Sequence, residues 1–224
     1  MSDGGVDWSA LPHDEQRFVG TSFGYAYEEK RAQAFARDDL ELMQNYYSRR
    51  GAHFAGLTQI IEFGTELTRG SDWLAQCGPL TIADVNPSEI YATEVRLEST
   101  LASEAKFVIL QNTRDISVLP MCSFLYSILS LRYTPAAVLA NILGILLARV
   151  TPGGLALLRV PTQHKHYQFM LPGVQQLAEL NVIPQWRLFE LLDSNGFSLV
   201  LVQEERLLQG ADILYHMILA QRRE

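Results

Sequence analysis

Cysteine is scarce in this chain of 224 residues, and basic residues are outnumbered by acidic ones. The two cysteines, Cys77 and Cys122, stand in apolar surroundings, outside any CxxC pair and away from histidine. This excludes a zinc site of the usual spacing and predicts two reduced core residues. Eighteen Lys and Arg against 25 Asp and Glu leave a formal charge of −7. Because no sequence-wide basic field exists, a nucleic-acid-binding function is disfavoured.

The chain also lacks a long uninterrupted apolar run. Its most apolar region, 116–150, is broken by Pro120, Arg132, Pro135 and Asn141. It therefore holds no stretch of the roughly 18 to 20 residues that a membrane span needs. No basic segment followed by an apolar one opens the chain, so no signal peptide is visible and a cytoplasmic location is expected.

The pattern that is present divides the chain at about residue 57. Residues 1–56 carry a helical pattern from Tyr25 to Ala52, which predicts an N-terminal helical cap. Residues 57–224 alternate short apolar runs with longer helical patterns, which is typical of βαβ units and a mainly parallel sheet. We therefore predict a helical extension over 1–56 and an α/β domain over 57–224.

Seven strands and four helices are predicted in the α/β domain. Only a loop separates the last two strands, so the final strand is expected to run antiparallel to its neighbour and the other six parallel to one another. The predicted strands are 59–63, 80–83, 106–110, 123–128, 155–160, 199–202 and 213–220, and the helices are 67–76, 87–102, 135–149 and 185–195.

A doubly wound sheet binds ligands beyond the carboxyl ends of its strands. Gly64 follows the first predicted strand, and Asp84 ends the second, twenty residues later. An acidic side chain at that point is well placed to accept hydrogen bonds from both ribose hydroxyls of a nucleoside. The alternative role for Asp84 is to cap the helix that begins at Pro87.

Several ordered segments resemble the motifs of class I S-adenosylmethionine-dependent methyltransferases. The resemblance implies a Rossmann-like fold, S-adenosyl-L-methionine as the cofactor, and methyl transfer to a hydroxyl. The stretch over 135–161 and 182–197 is similar to small methyltransferases of glycan and lipopolysaccharide biosynthesis, which implies a sugar or small glycan acceptor. The matching segments are 62–64, 84–87, 127–135, 147–161, 182–186 and 188–197.

Mapped onto this chain, the resemblance also implies where the cofactor is held. Asn112 either meets the adenine edge or caps a turn, with Gln111 and Asp115 as neighbouring polar groups. Tyr126 and Ser127 lie toward the tip of the fourth strand, where they either line the transfer site or pack within the strand. The implied cofactor-binding residues are Glu62, Gly64, Thr65, Asp84, Val85, Asn112 and Ser127.

The first loop departs from the family pattern E-x-G-x-G-x-G. Gly64 is kept, but Glu66 and Thr68 occupy the second and third glycine positions. The loop has therefore either been rebuilt or lost the cofactor. The alternative function is a catalytically inactive binding or assembly subunit. A nicotinamide-cofactor enzyme is disfavoured because no GxGxxG motif occurs.

Two histidines, His164 and His166, follow the fifth predicted strand. They are candidate acceptor-side bases, with a solvated loop as the alternative, and no accompanying carboxylate or cysteine pattern supports a metal. Residues 167–184 are expected to form one wall of the acceptor pocket. Tyr46 and its neighbouring tyrosines form the opposite wall or pack onto the domain. The expected partner is a small-molecule or glycan substrate, and monomer and homodimer both stay open.

Overall fold

The computed structural model describes residues 22–65, 70–100, 105–128, 136–164, 182–205 and 213–224. Over these ranges, helices and strands alternate along the chain. The strands are β1 (Ile60–Phe63), β2 (Leu80–Asp84), β3 (Lys106–Ile109), β4 (Cys122–Ile128), β5 (Val150–His164), β6 (Phe197–Glu205) and β7 (Ile213–Arg222). The helices are α1 (Ser22–Ser48), α2 (Gly70–Leu74), α3 (Pro87–Thr100), α4 (Thr113–Ser117), α5 (Ala136–Ala148) and α6 (Gln185–Ser194).

The strands form one seven-stranded sheet in the order β3-β2-β1-β4-β5-β7-β6. β7 pairs antiparallel with both β5 and β6, whereas the pairs among β1 to β5 are parallel. This confirms the predicted sheet and its antiparallel last strand. The strand order reverses between β1 and β4, which is where such a sheet opens a crevice for a ligand.

The structure differs from the predicted elements in several places: α2 is shorter than predicted and β6 is longer, and β5 and α4 show two further differences. β5 begins at Val150 because the Thr151–Gly154 turn is accommodated inside the strand as a shift in its register with β4. Gly153 takes φ +77°, and a Cβ on Gly154 would lie 2.9 Å from the carbonyl oxygen of Thr151, so both positions favour glycine. The short helix α4 was not predicted, because five residues are too few to show a helical period.

The sheet is buried on both faces by helices. One core cluster joins one face to α4, α5 and α6, and the other joins the opposite face to α1, α2 and α3.

Cys77 and Cys122 are free thiols buried in these two clusters, which confirms that both are core residues. Burial raises the pKa of the Cys122 thiol to about 12, so it stays protonated at neutral pH. None of the helices in the described ranges is long and apolar enough to cross a membrane.

α1 lies against the α2 and α3 side of the sheet. Phe35, Met43 and Tyr46 are buried and share one helical face, so the packing alternative is confirmed for Tyr46. Arg50 is exposed beyond the helix end and stacks on the Tyr46 ring, 3.7 Å from the ring centroid. The same buried face also contains a carboxylate, Asp39, which is 1% exposed.

Candidate nucleoside-binding site

The turns after β1 and β2 are tied together by the Asp84 carboxylate. Gly64 takes φ +81°, a conformation that favours glycine, and its N–H donates to the Ala83 carbonyl at 2.8 Å. The Thr65 N–H and hydroxyl both donate to Asp84 Oδ2, at 2.8 and 3.2 Å. The Asn86 N–H donates to Asp84 Oδ1 at 2.8 Å. Glycine at position 64 thus lets the chain turn back toward the tip of β2.

The capping role considered for Asp84 is filled by another residue. Asn86 Oδ1 accepts a hydrogen bond from the Ser88 N–H at 3.0 Å, in the first turn of α3. This is the bond that an N-cap side chain makes. Among the described residues, Asp84 bonds the turns that precede α3, and it ends β2 at the sheet edge where a ligand would bind.

The Asp84 carboxylate is poorly solvated. It is 7% exposed, and this burial raises its pKa, while the N–H donors of Asn86 and Thr65 act in the opposite direction. Burial and the charge of Asp84 also raise the pKa of Glu89 in the first turn of α3. A ligand hydroxyl that donates to Asp84 would stabilise the charged form of the carboxylate.

Two solvent-exposed apolar side chains lie beside this carboxylate. Val85, the next residue, is 42% exposed, and Ile109, which pairs with Asp84 across β2 and β3, is 37% exposed. A carboxylate next to an apolar platform suits a nucleoside, whose sugar donates hydrogen bonds and whose base is flat. Ile109 was not a candidate in the sequence because its position beside Asp84 depends on the register between β2 and β3.

The carboxylate of Glu62 lies against the start of α2. Glu62 is fully buried, and the Ser71 hydroxyl donates to its Oε2 at 2.5 Å. A Cβ on Gly70, which begins α2, would lie 2.8 Å from Glu62 Oε1 and 2.4 Å from Tyr126 Cε1. The start of α2 therefore approaches the sheet as closely as only glycine permits.

Asn112 and Ser127 use their side chains within the fold. Asn112 Oδ1 accepts from the Arg114 N–H at 2.9 Å, and Asp115 Oδ2 accepts from the Asn112 N–H at 3.0 Å, which makes a capping box for α4. Ser127 is 1% exposed and donates to the Phe63 carbonyl at 3.1 Å, which links β4 to β1. A cofactor contact by either residue stays a prediction.

The remaining sequence candidates lie at or beyond the limits of the described chain. Glu66, Thr68 and His166 lie outside the described residues. His164 is the last residue of β5, where its backbone pairs with Ile213, so it is in the strand instead of the predicted loop after it. In the described part of the chain, no three His, Cys, Asp or Glu side chains gather where a metal ion could be held.

A buried charged network that sequence analysis missed joins α1 to three strands. Asp39 Oδ2 accepts from the Tyr126 hydroxyl at 2.9 Å and from Arg159 Nη1 at 2.5 Å. Arg159 Nε donates to Glu205 Oε2 at 2.7 Å. Burial raises the pKa of Asp39 and Arg159 opposes this, while burial and the Asp39 charge raise the pKa of Tyr126. We name Asp39, Tyr126, Arg159 and Glu205 the α1 network.

One sequence signal pointed toward this network. Asp39 falls four residues after Phe35 and four before Met43, within the apolar period of α1. A carboxylate at a core position is normally paired. Its partner Arg159 is 120 residues away, however, and no local pattern connects the two.

The fold can now be compared with known proteins. No protein-family profile matches the sequence, and no curated protein matches it. Among solved structures, magnesium protoporphyrin IX methyltransferase from Synechocystis PCC 6803, with bound S-adenosylhomocysteine, is 14% identical, with a TM-score of 0.67 and 95% of each chain covered. N-methyltransferase NodS from Bradyrhizobium japonicum WM9 is 13% identical, with a TM-score of 0.60, covering 84% of this chain and 87% of that one.

A third similar structure is named for a different activity. The [4+2]-cyclase SpnF is 14% identical, with a TM-score of 0.57, covering 75% of this chain and 76% of that one. Likeness at this level of identity concerns the backbone alone, and a shared fold can carry different chemistries. The chain has the Rossmann-like fold of class I S-adenosylmethionine-dependent methyltransferases.

Proposed function

We propose that this protein is an S-adenosyl-L-methionine-dependent methyltransferase. The observation that carries the proposal is the site at the tips of β1 and β2, where Gly64 turns the chain toward Asp84 and Val85 lies exposed beside the carboxylate. This site is at the edge of the sheet where nucleosides bind in such folds. Similar structures include methyltransferases that hold S-adenosylhomocysteine.

The described residues fit the nucleoside half of the cofactor. Asp84 would accept hydrogen bonds from the ribose hydroxyls, Val85 and Ile109 would contact the base, and Glu62 would support the loop that faces the amino-acid half. A carboxylate offers about four acceptor positions, and the Thr65 hydroxyl, at 3.2 Å, makes a longer hydrogen bond to Asp84 than the N–H groups of Thr65 and Asn86 do. A ribose hydroxyl would replace that bond. When bound, the cofactor supplies a methyl group on a sulfonium to a nucleophilic acceptor.

For the acceptor, we propose a hydroxyl on a sugar or small glycan. The support is the resemblance of 135–161 and 182–197 to glycan-modifying methyltransferases. Methyl transfer depends mainly on holding the acceptor oxygen in line with the methyl carbon. His164 and His166 are the proposed acceptor-side bases, since His164 ends β5, the strand next to β4, and His166 comes two residues later in the sequence. A cytoplasmic location belongs to the same proposal.

A second candidate is a catalytically inactive subunit that keeps the fold. Two observations favour it. Glu66 and Thr68 replace glycines of the family loop, and Asp84 is already bonded on both oxygens by Thr65 and Asn86. In such a subunit these bonds would hold the two turns together without a ligand.

Calorimetric titration with S-adenosylhomocysteine separates the two candidates. We expect low-micromolar binding to the wild-type protein and none to Asp84→Ala. The matched control is Asp193→Ala, an exposed carboxylate on α6 paired only at the surface with Arg223, which should bind normally. At 100 times the dissociation constant, the ligand should add about 2.7 kcal/mol of stability. Absence of heat and of a thermal shift at millimolar ligand would refute the methyltransferase proposal and favour the inactive subunit.

A further inference from the structure

In the described part of the chain, one carboxylate oxygen of the α1 network accepts no hydrogen bond. Both donors to Asp39, the Tyr126 hydroxyl and Arg159 Nη1, bond Oδ2. Among the described residues, Asp39 Oδ1 is buried and accepts no hydrogen bond. A buried, unbonded carboxylate oxygen is costly, so it is rarely left in a structure without a donor from a ligand or solvent.

The α1 network also carries excess negative charge. Asp39 and Glu205 contribute two carboxylates, and Arg159 contributes the only cation of the four side chains, which gives a formal net charge of −1 when both carboxylates are ionised. Arg159 gives Nε and Nη2 to Glu205 and is stacked over the Phe35 ring, so it cannot turn to the free oxygen. The missing donor is therefore best supplied by a cation.

The position of the α1 network in the sheet relates Asp39 Oδ1 to the proposed site. Arg159 pairs with Ile128, the last residue of β4, and Glu205 is the last residue of β6, so the network lies toward the ligand-binding edge of the sheet. The Tyr126 ring also lies under Gly70, at the start of α2. The α1 network thus adjoins the start of α2, on the side of β4 and β5.

We propose that the acceptor carries a protonated amino group and that Asp39 Oδ1 binds it. This inference rests on the proposed function and narrows its acceptor to amino sugars. An ammonium supplies both a hydrogen-bond donor and the positive charge that the α1 network lacks, whereas a hydroxyl supplies only the donor. In this role Asp39 determines specificity by binding the amino group of the acceptor. The methylated atom is a different atom of the same acceptor.

The test compares three sugars on protein saturated with S-adenosylhomocysteine. D-glucosamine, D-glucose and N-acetyl-D-glucosamine differ at one position, which is an amine, a hydroxyl or an uncharged acetamide. We expect glucosamine to bind at least tenfold more tightly than the other two. In Asp39→Asn, which keeps the shape of the side chain, the preference should fall to less than threefold. Its affinity for S-adenosylhomocysteine should stay within twofold of wild type, as it should in the surface control Asp193→Asn.

A second arm uses only the wild-type protein, in case Asp39→Asn does not fold. Raising the pH through the titration of the glucosamine amine should remove the preference over glucose. Equal binding of the three sugars, or binding of none, by a protein that binds S-adenosylhomocysteine would overturn this inference and leave the proposed function standing. An undiminished preference in Asp39→Asn would also overturn it, since a solvent molecule would then be the partner of Oδ1. Failure to bind S-adenosylhomocysteine would instead refute the proposed function, and this inference with it.

Discussion

Replacing Gly70 with alanine tests how tightly the start of α2 is held against the sheet. The added Cβ would lie 2.4 Å from Tyr126 Cε1 and 2.8 Å from Glu62 Oε1, distances at which the neighbouring atoms must move. Neither neighbour is free to move. The Tyr126 hydroxyl is bonded to Asp39, and Glu62 Oε2 is bonded to the Ser71 hydroxyl.

The expected cost follows from this crowding. Inserting a methyl group into a packed core costs about 1–3 kcal/mol. Alanine recovers part of this, at most about 0.5–1 kcal/mol, because it is less flexible than glycine in the unfolded chain. We expect a net loss of about 1–2 kcal/mol. In a domain of this size, each kcal/mol shifts the melting temperature by about 2–4 °C.

Gly144→Ala is the matched control, since Gly144 lies inside α5 at a position where an added methyl group fits. Its Cβ would meet Leu191 Cδ1 at 3.8 Å, an ordinary contact, and the helix should gain about 0.5–1 kcal/mol. Thermal and urea unfolding of both variants and the wild type measure the two effects. In a Tyr126→Leu background, where the ring is gone, the penalty of Gly70→Ala should shrink. If Gly70→Ala unfolds with the wild-type midpoint while Gly144→Ala is stabilised, the close packing described for Gly70 is wrong.

Three further predictions concern other parts of the fold. Asn112→Ala should lose about 0.5–2 kcal/mol in urea unfolding because it removes the α4 cap, whereas Asn112→Ser should keep most of it. Arg159→Met should lose about 3–5 kcal/mol because it removes the cation from the buried Asp39 and the partly buried Glu205. Arg187→Met is its matched control, because it removes only an exposed ion pair with Glu190 and should cost under about 0.5 kcal/mol. Burial lowers the pKa of His216 below its ordinary 6.5. Its contribution to stability should therefore be complete above about pH 6.5 and be lost as the pH falls through the lowered pKa. Urea unfolding at pH 7.5 and 5.5 should show a smaller acid loss in His216→Gln than in the wild type, and equal losses would contradict the burial of a neutral imidazole.

Much of the sheet could be predicted because its strands are short, apolar and bounded by glycine and proline. β1, β2 and β4 begin and end within one residue of their predicted bounds. β5 was predicted too short because the Thr151–Gly154 segment has the composition of a turn. Pairing with β4 on one side and β7 on the other overrides that local preference, and the two glycines absorb the irregularity.

The site could be predicted only where its chemistry is local in the sequence. Gly64 and Asp84 stand directly after or at the end of buried strands, so their meeting follows from the parallel pairing of β1 and β2. The α1 network depends instead on where α1 crosses the sheet. Asp39 and Arg159 belong to elements with several strands and helices between them, and neither residue shows its partner in its own neighbourhood.

The different hydrogen-bonding roles of Asp84 and Asn86 help to decide between an enzyme and an inactive subunit. If Asp84 served only to begin α3, its carboxylate would bond the first turn of that helix, but Asn86 makes that bond. Asp84 is instead buried, which raises its pKa, and the N–H donors of Asn86 and Thr65 oppose part of that rise. An asparagine at position 84 would offer one acceptor oxygen where the carboxylate offers two, so it could not accept from the N–H groups of both Thr65 and Asn86 in the same way. Thr65 and Asn86 use three of about four acceptor positions on Asp84, so one ligand hydroxyl can still donate to it, and with Val85 exposed beside it this favours the enzyme.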